Sequence, residues 1–139
     1  MEHERFGDAY VIRMDRGEEI MSTLAAFCEK EGIRLASVEA IGALDRAVVG
    51  LYDVTEKVYH KKEFNEPLEL TGLLGTVTEK DGQPYLHLHA TFCDAEMRTH
   101  GGHVNELHIS ATCEMVLRLI PGQVGRRPDE VTGLNLFDF

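Results

Sequence analysis

Four of the seven histidines fall within 18 residues, in "HLHATF" (87–92) and "HGGHV" (100–104). Residues i and i+2 of a strand point to one side, so His87 and His89 share a face. Suppose the chain returns antiparallel with His89 opposite His103. Paired positions then sum to 192, and His87, His89, His103 and Asn105 share that face, His87 lying diagonal to His103. A one-residue slip would send His103 to the opposite face, so the cluster depends on register. Three imidazoles on rigid backbone, with no thiolate beside them, suit zinc or a similar divalent cation. Three protein ligands leave a coordination position for water or substrate, as catalytic zinc sites do. The plain alternative is a set of half-buried histidines bonded to backbone or water.

The other candidates are weaker. His100 sits at the loop mouth, and His108 should face away. His60, beside Lys61 and Lys62, reads as solvated. Cys93 has the right parity but lies at the strand end, where a plain thiol is expected rather than a fourth ligand. Glu39 and Glu114 interrupt apolar strands, which is costly unless the charge is paired or functional. Together with Asn105 they are the candidates to brace the metal ligands or to act as acid or base. No residue is assigned a catalytic step.

Positioning such a cluster requires a sheet. Residues 8–15, "DAYVIRMD", read as a first strand. In "RGEEIMSTLAAFCEKEGI", Ile20, Leu24 and Phe27, with Met21 and Cys28 beside them, form one apolar helical stripe. Glu18 and Glu19 fall in its first turn and Gly32 at its C-terminal cap. The remainder is strand-like: "RLASVEAIGAL" and "RAVVGLYD" joined near Leu44-Asp45, then "VYHKKEF" after a turn at "DVTEK". "PLELTGLLGTVTE" follows, with Gly72 and Gly75 marking a bulge or a close backbone approach. "KDGQP" is a hairpin turn, "YLHLHATF" and "HVNELHISATCEMVLRLI" are the last long strands, and Gly101-Gly102 ends the loop between them. "GRRP" (125–128) reads as a polar loop. The apolar end of the tail should dock on the body or on a neighbouring subunit. One helix cannot cover both faces of such a sheet, and Tyr85 and Thr91 oppose Leu86, Leu88 and Phe92, so homo-oligomerisation is expected.

Composition narrows the function classes. The chain of 139 residues suits one domain, and its formal charge, 14 − 24 = −10, disfavours a broad phosphate-binding face. The cysteines Cys28, Cys93 and Cys113 form no CxxC pair, so reduced thiols in a cytoplasmic protein are expected. The charged start "MEHERFGDAYVIRM" has no apolar signal core, and no run of 18 apolar residues suggests a membrane span. P-loop, GxGxxG and GxSxG motifs are absent.

"GEEIMSTLAAFCEKEGIRLASVEAIGALDRAVVGLYD", "EPLELTGLLGTVTEKDGQPYLHLHATF", "GGHV" and "CEMVLRL" resemble the plants-and-prokaryotes-conserved (PPC) domain over residues 8–120. "DEVTGLNLF" resembles the end of prokaryotic single-domain members. The resemblance implies a single domain over 1–139, with tail 121–139. It implies an α/β (α+β) fold, one antiparallel sheet with one main amphipathic helix, similar to acetolactate decarboxylase. It also implies a homotrimer. Some prokaryotic relatives hold a metal through histidines matching His87, His89 and His103. Plant members carry AT-hooks before the domain and are DNA-associated, and prokaryotic members are commonly called DNA-binding. This chain has no AT-hook. The resulting expectation is a regulatory or assembly module with a three-histidine zinc site. The alternative is a lyase-like metal enzyme acting on a small oxygenated substrate.

Overall fold

The computed structural model describes residues 1–139. The elements run β1 (Glu2–Phe6), β2 (Ala9–Asp15), α1 (Ile20–Glu31), β3 (Ala36–Asp53), β4 (Val58–Lys80), β5 (Gln83–Cys93), β6 (Thr99–Leu119), β7 (Gly125–Pro128) and β8 (Asn135–Asp138). This is a mostly antiparallel sheet with one helix, as expected. Six strands follow the order β1-β2-β6-β3-β4-β5, and β5 also pairs with the start of β6. That last pairing closes β3, β4, β5 and β6 into a ring. β6 is central: β3 lies along one edge, while β5 and then β2 share the other.

The period-2 pattern decides which face is which. In β5, Leu88, Ala90 and Phe92 are buried, whereas His89 and Thr91 are exposed on the outer face and His87 is half-buried there. Inner residues of the other strands, including Leu44, Leu73, Leu107 and Met115, join them in one core. The buried side of α1, Ile20, Leu24, Phe27 and Cys28, covers that core against β5 and β6. Glu19 is the N-cap of α1 rather than a first-turn residue. Its carboxylate accepts from Met21 N at 2.9 Å and Ser22 N at 2.7 Å. It also accepts from Leu107 N at 3.2 Å, tying the helix start to β6. Gly32 caps the other end at φ 67°.

Several local expectations change. Residues 2–6, polar enough to leave no apolar signal, form an edge strand on β2. The two runs meeting near Asp45 are one strand, β3, with irregular register between Leu44 and Arg46. "VYHKKEF" and "PLELTGLLGTVTE" likewise join into β4, whose register slips between Leu70 and Gly72. Asp81-Gly82 makes the expected hairpin turn, with φ of 53° and 79°. Gly101-Gly102 is not the turn before β6. Both glycines lie within the strand, opposite Thr91 and Ala90, and the turn is 94–98 instead. "GRRP" is strand β7 rather than a polar loop, paired with β8 as a separate hairpin. This hairpin contacts β4. Arg126 Nε donates to Thr78 Oγ1 at 2.9 Å, and Asn135 Nδ2 donates to Tyr85 OH at 3.4 Å.

Candidate metal centre

The register places His103 directly opposite His89, so the supposed pairing sum of 192 holds. Rows of paired residues cross the outer face: Gly50, His103, His89 and Leu74 in one, with Thr76 opposite His87 beside it. The three imidazoles converge. Their ring centroids stand 5.2–5.4 Å apart, and one ring nitrogen from each lies within 4.8 Å of the others. His87 Nε2 and His89 Nε2 are 3.3 Å apart. Two nitrogens each about 2.05 Å from a tetrahedral zinc ion stand about 3.3 Å apart, so this pair already has the spacing of a tetrahedron's edge. Burial holds His87 below the ordinary histidine range, and the charges of His89 and Arg126 add to it. Burial, then His87 and His89, does the same for His103. The neutral imidazole thereby favoured is the form that ligates metals.

The glycines let the strands approach closely enough for this. A Cβ on Gly102 would lie 2.7 Å from Gly50 O, and one on Gly101 would lie 3.3 Å from both Ala90 C and Thr91 Cα. Gly75 likewise admits the His87 carbonyl of β5 against its bare backbone, the close approach expected for it. Gly50 leaves space for the Tyr59 ring, which meets His103 edge-on at 6.1 Å. Asn105 Nδ2 donates to Tyr59 OH at 2.6 Å and to His103 O at 3.2 Å. Asn105 therefore supports the triad from behind, through Tyr59 and the backbone. It is the extra residue at a register shift, since Val49 pairs with Val104 and Val48 with Glu106.

The remaining candidates lie elsewhere. Glu39 and Glu114 are exposed, so the burial that suggested a paired or functional charge is absent. Glu39 is separated from His89 by Leu74, two strand spacings or about 10 Å across the sheet. Glu114 lies between Arg13 and Ile41. Cys93, four residues along β5 from His89 and so about 13 Å away, has its Sγ 3.7 Å from Thr99 Oγ1. His100 faces inward, with Nε2 3.0 Å from Asp94 Oδ2 and its ring 4.8 Å from Phe64. His108 is held by Arg46 and Glu106, and His60 is exposed on the cleft rim.

Above the triad opens a cleft of about 990 Å³. Strand residues Tyr59, Lys61, Lys62 and Tyr85 line it, and the tail adds Arg126, Leu134, Leu136 and Phe137. The tail residues had no periodic signal in the sequence. Docking of the apolar tail was expected in general terms, but nothing local placed Leu134, Leu136 or Phe137 at this cleft, and "GRRP" reads only as a polar loop. Tyr59 had no signal either, because its role depends on the absent side chain at Gly50.

A partly closed antiparallel sheet with one covering helix is an α+β fold, and this one carries three imidazoles on its outer face. Residues 1–121 match the Plants and Prokaryotes Conserved (PCC) domain, and the chain belongs to that family. A solved structure provisionally named a DNA-binding protein, from Bacteroides thetaiotaomicron VPI-5482, is 28% identical with a TM-score of 0.97. The match covers 99% of this chain and 96% of that one. The metal-containing protein AF0104 from Archaeoglobus fulgidus is 37% identical, TM-score 0.87, over 99% and 97% of the two chains. Acetolactate decarboxylase from Bacillus subtilis strain 168 shares the fold: TM-score 0.61 at 14% identity, over 88% of this chain and 57% of that one. The chain also matches the Bifunctional protein GlmU of Synechococcus sp. (strain JA-3-3Ab), 32% identical over 127 residues. That match covers 89% of the chain but only 19% of the relative's length. No helix is long and apolar enough to cross a membrane.

Proposed function

We propose that this protein is a cytoplasmic, homotrimeric metal-binding module that holds zinc through His87, His89 and His103. It serves regulation or assembly by presenting that ion to small ligands in the cleft. The observation that carries the reading is the convergence of three imidazoles, two already 3.3 Å apart, on a face fixed by three hydrogen-bonded strands. The donor set suits zinc, and Asn105 and Tyr59 brace His103 as outer residues brace metal ligands elsewhere. The metal content of the Archaeoglobus relative supports the same reading. The trimer is supported by exposed apolar residues on the outer face: Ile41 is 56% exposed, Leu74 63% and Val11 48%. Direct DNA contact has little support in a chain of net charge −10.

The test is metal analysis of protein purified without a tag. About one zinc per chain is expected, retained in His108→Ala and lost in His89→Ala. Absence of metal from the wild type, or unchanged content in His89→Ala, would remove the reading. A monomer in light scattering at micromolar concentration would remove the trimer.

A second reading, a lyase-like enzyme, is favoured by the cleft's opening directly onto the triad. Bound zinc would polarise a substrate oxygen or acidify a water. This chain's residues would hold the substrate between the apolar tail wall and the lysine rim. Tyr59, whose ring meets His103 edge-on and whose hydroxyl accepts from Asn105, would be the side chain that exchanges a proton there.

A further inference from the structure

Arg126 is an unusual residue for this chain. Asp and Glu number 24 of 139 residues, yet none lines the cleft, whereas Lys61, Lys62 and Arg126 do. Arg126 forms no salt bridge of its own. Its guanidinium is fixed on several sides: Nε donates to Thr78 Oγ1 at 2.9 Å and Nη1 to Asn135 O at 3.1 Å. Its central carbon sits 4.8 Å from the Tyr85 ring centroid and 4.3 Å from that of Phe137. Nη2 is shut off from solvent and has no hydrogen-bond partner. A cation held in place with no carboxylate beside it leaves an unmatched charge on the cleft wall, which calls for an anionic partner. The positive charge is also close enough to bear on His87.

We infer that the cleft takes a small aliphatic carboxylate carrying a second oxygen. Its carboxylate pairs with the Arg126 guanidinium on the cleft wall, its carbon chain lies against Phe137 and Tyr85, and its hydroxyl or carbonyl oxygen reaches the histidine triad. A guanidinium with a planar fork and a weakly held hydration shell suits a carboxylate partner in such a site. The contact of the distal oxygen with metal rests on the zinc reading above; the contact with Arg126 does not.

Calorimetric titration of the full chain, metal-free and zinc-loaded, tests this with lactate, 3-hydroxybutyrate and 4-hydroxybutyrate. Each is compared with the diol in which the carboxylate is replaced by CH2OH. At least one carboxylate is expected to bind metal-free protein, to bind zinc-loaded protein at least tenfold tighter, and to outbind its diol at least tenfold. Arg126→Gln should lose at least tenfold in both forms. Arg127→Gln, which removes the same charge from an exposed neighbour, should stay within threefold. Because Arg126 also pins the tail, Asn135→Ala serves as the control for tail loosening. It cuts the side-chain bonds to Tyr85 and Lys80, leaves the backbone acceptor for Arg126, and should also stay within threefold. The inference is overturned if no carboxylate binds either form, or if the diols bind equally. It is also overturned if inorganic phosphate binds metal-free protein more tightly, or if Asn135→Ala loses as much as Arg126→Gln. Should the wild type take up no zinc, the zinc reading fails alone, and the metal-free titrations still decide the role of Arg126.

Discussion

Replacing Gly102 by alanine should damage the site through the backbone. The added Cβ would lie 2.7 Å from Gly50 O and 3.4 Å from Gly50 C and N. An ordinary contact with that oxygen needs about 3.4 Å, so β3 and β6 must separate by roughly 0.7 Å at the position where His103 pairs with Gly50. Gly50 has no side chain to move aside, and its strand is hydrogen-bonded on both edges there. Overpacking of this kind costs about 1–3 kcal/mol. In a domain of this size each kcal/mol lowers Tm by roughly 3–4 °C, giving a fall of about 3–12 °C. Metal ligands must sit within about 0.2 Å of their ideal distances, so the same displacement of His103 should weaken zinc affinity tenfold or more. Gly125→Ala is the matched control. It adds the same methyl on β7, where the new atom meets Asp138 Cβ at an ordinary 3.6 Å. Thermal unfolding at one fixed protein concentration reads the first effect, and competition with a chromophoric zinc chelator reads the second. A Gly102→Ala protein that melts and binds zinc like Gly125→Ala would refute the view that bare backbone at this crossing sets the register of the triad.

Asp94 should govern acid sensitivity. Its carboxylate accepts from His100, Arg98 and the amides of Glu96 and Arg98. The bond from His100, against opposing burial and with help from Arg98, holds it well below the usual carboxylate range. A depressed folded-state pKa contributes stability above about pH 4 that is lost as pH falls further. Asp94→Asn should therefore melt lower than wild type at pH 7, by several degrees, with the gap closing in acid; a constant gap in differential scanning fluorimetry would contradict this. Among the thiols, burial pushes Cys28 up to about 12 and Cys113, helped by Glu114, up to about 11. A chromogenic disulfide at pH 8 should title one thiol per folded chain quickly, at Cys93, and all three after denaturation; three fast thiols would show that the core is open. If the chain assembles as proposed, Ile41→Lys, at an exposed residue, should keep a cooperative melt, at a lower Tm for want of partner subunits, and give monomers in light scattering. Retention of trimers would move the interface to another face.

Much of the architecture was legible because local patterns and tertiary structure agree. The stripe Ile20, Leu24, Phe27 and Cys28 forms a helix ending at Gly32, and alternation in β5 separates Leu88, Ala90 and Phe92 from His87 and His89. The strand period is strict, so assuming the correct opposite residue sufficed to place three histidines on one face. Gly72 marked the irregularity in β4, but the bulges of β3 and β6 were not legible. An extra residue such as Asn105 alters the local register, and nothing in its own side chain announces it. Gly101-Gly102 suggested a turn because glycine most often signals one, yet here it serves the crowding of β5 and β3 against β6.

The sequence by itself determined the sheet, its one helix and the face that carries His87, His89 and His103, since these follow from periods of 2 and 3.6. Only the tertiary structure decided what surrounds that face. Glu39 and Glu114 proved to be exposed and set apart from the triad, because position along a strand says nothing of distance across a sheet. Tyr59 and Arg126 reach the cleft from segments 28 and 39 residues away from His87, and no local pattern encodes contacts made at such separations.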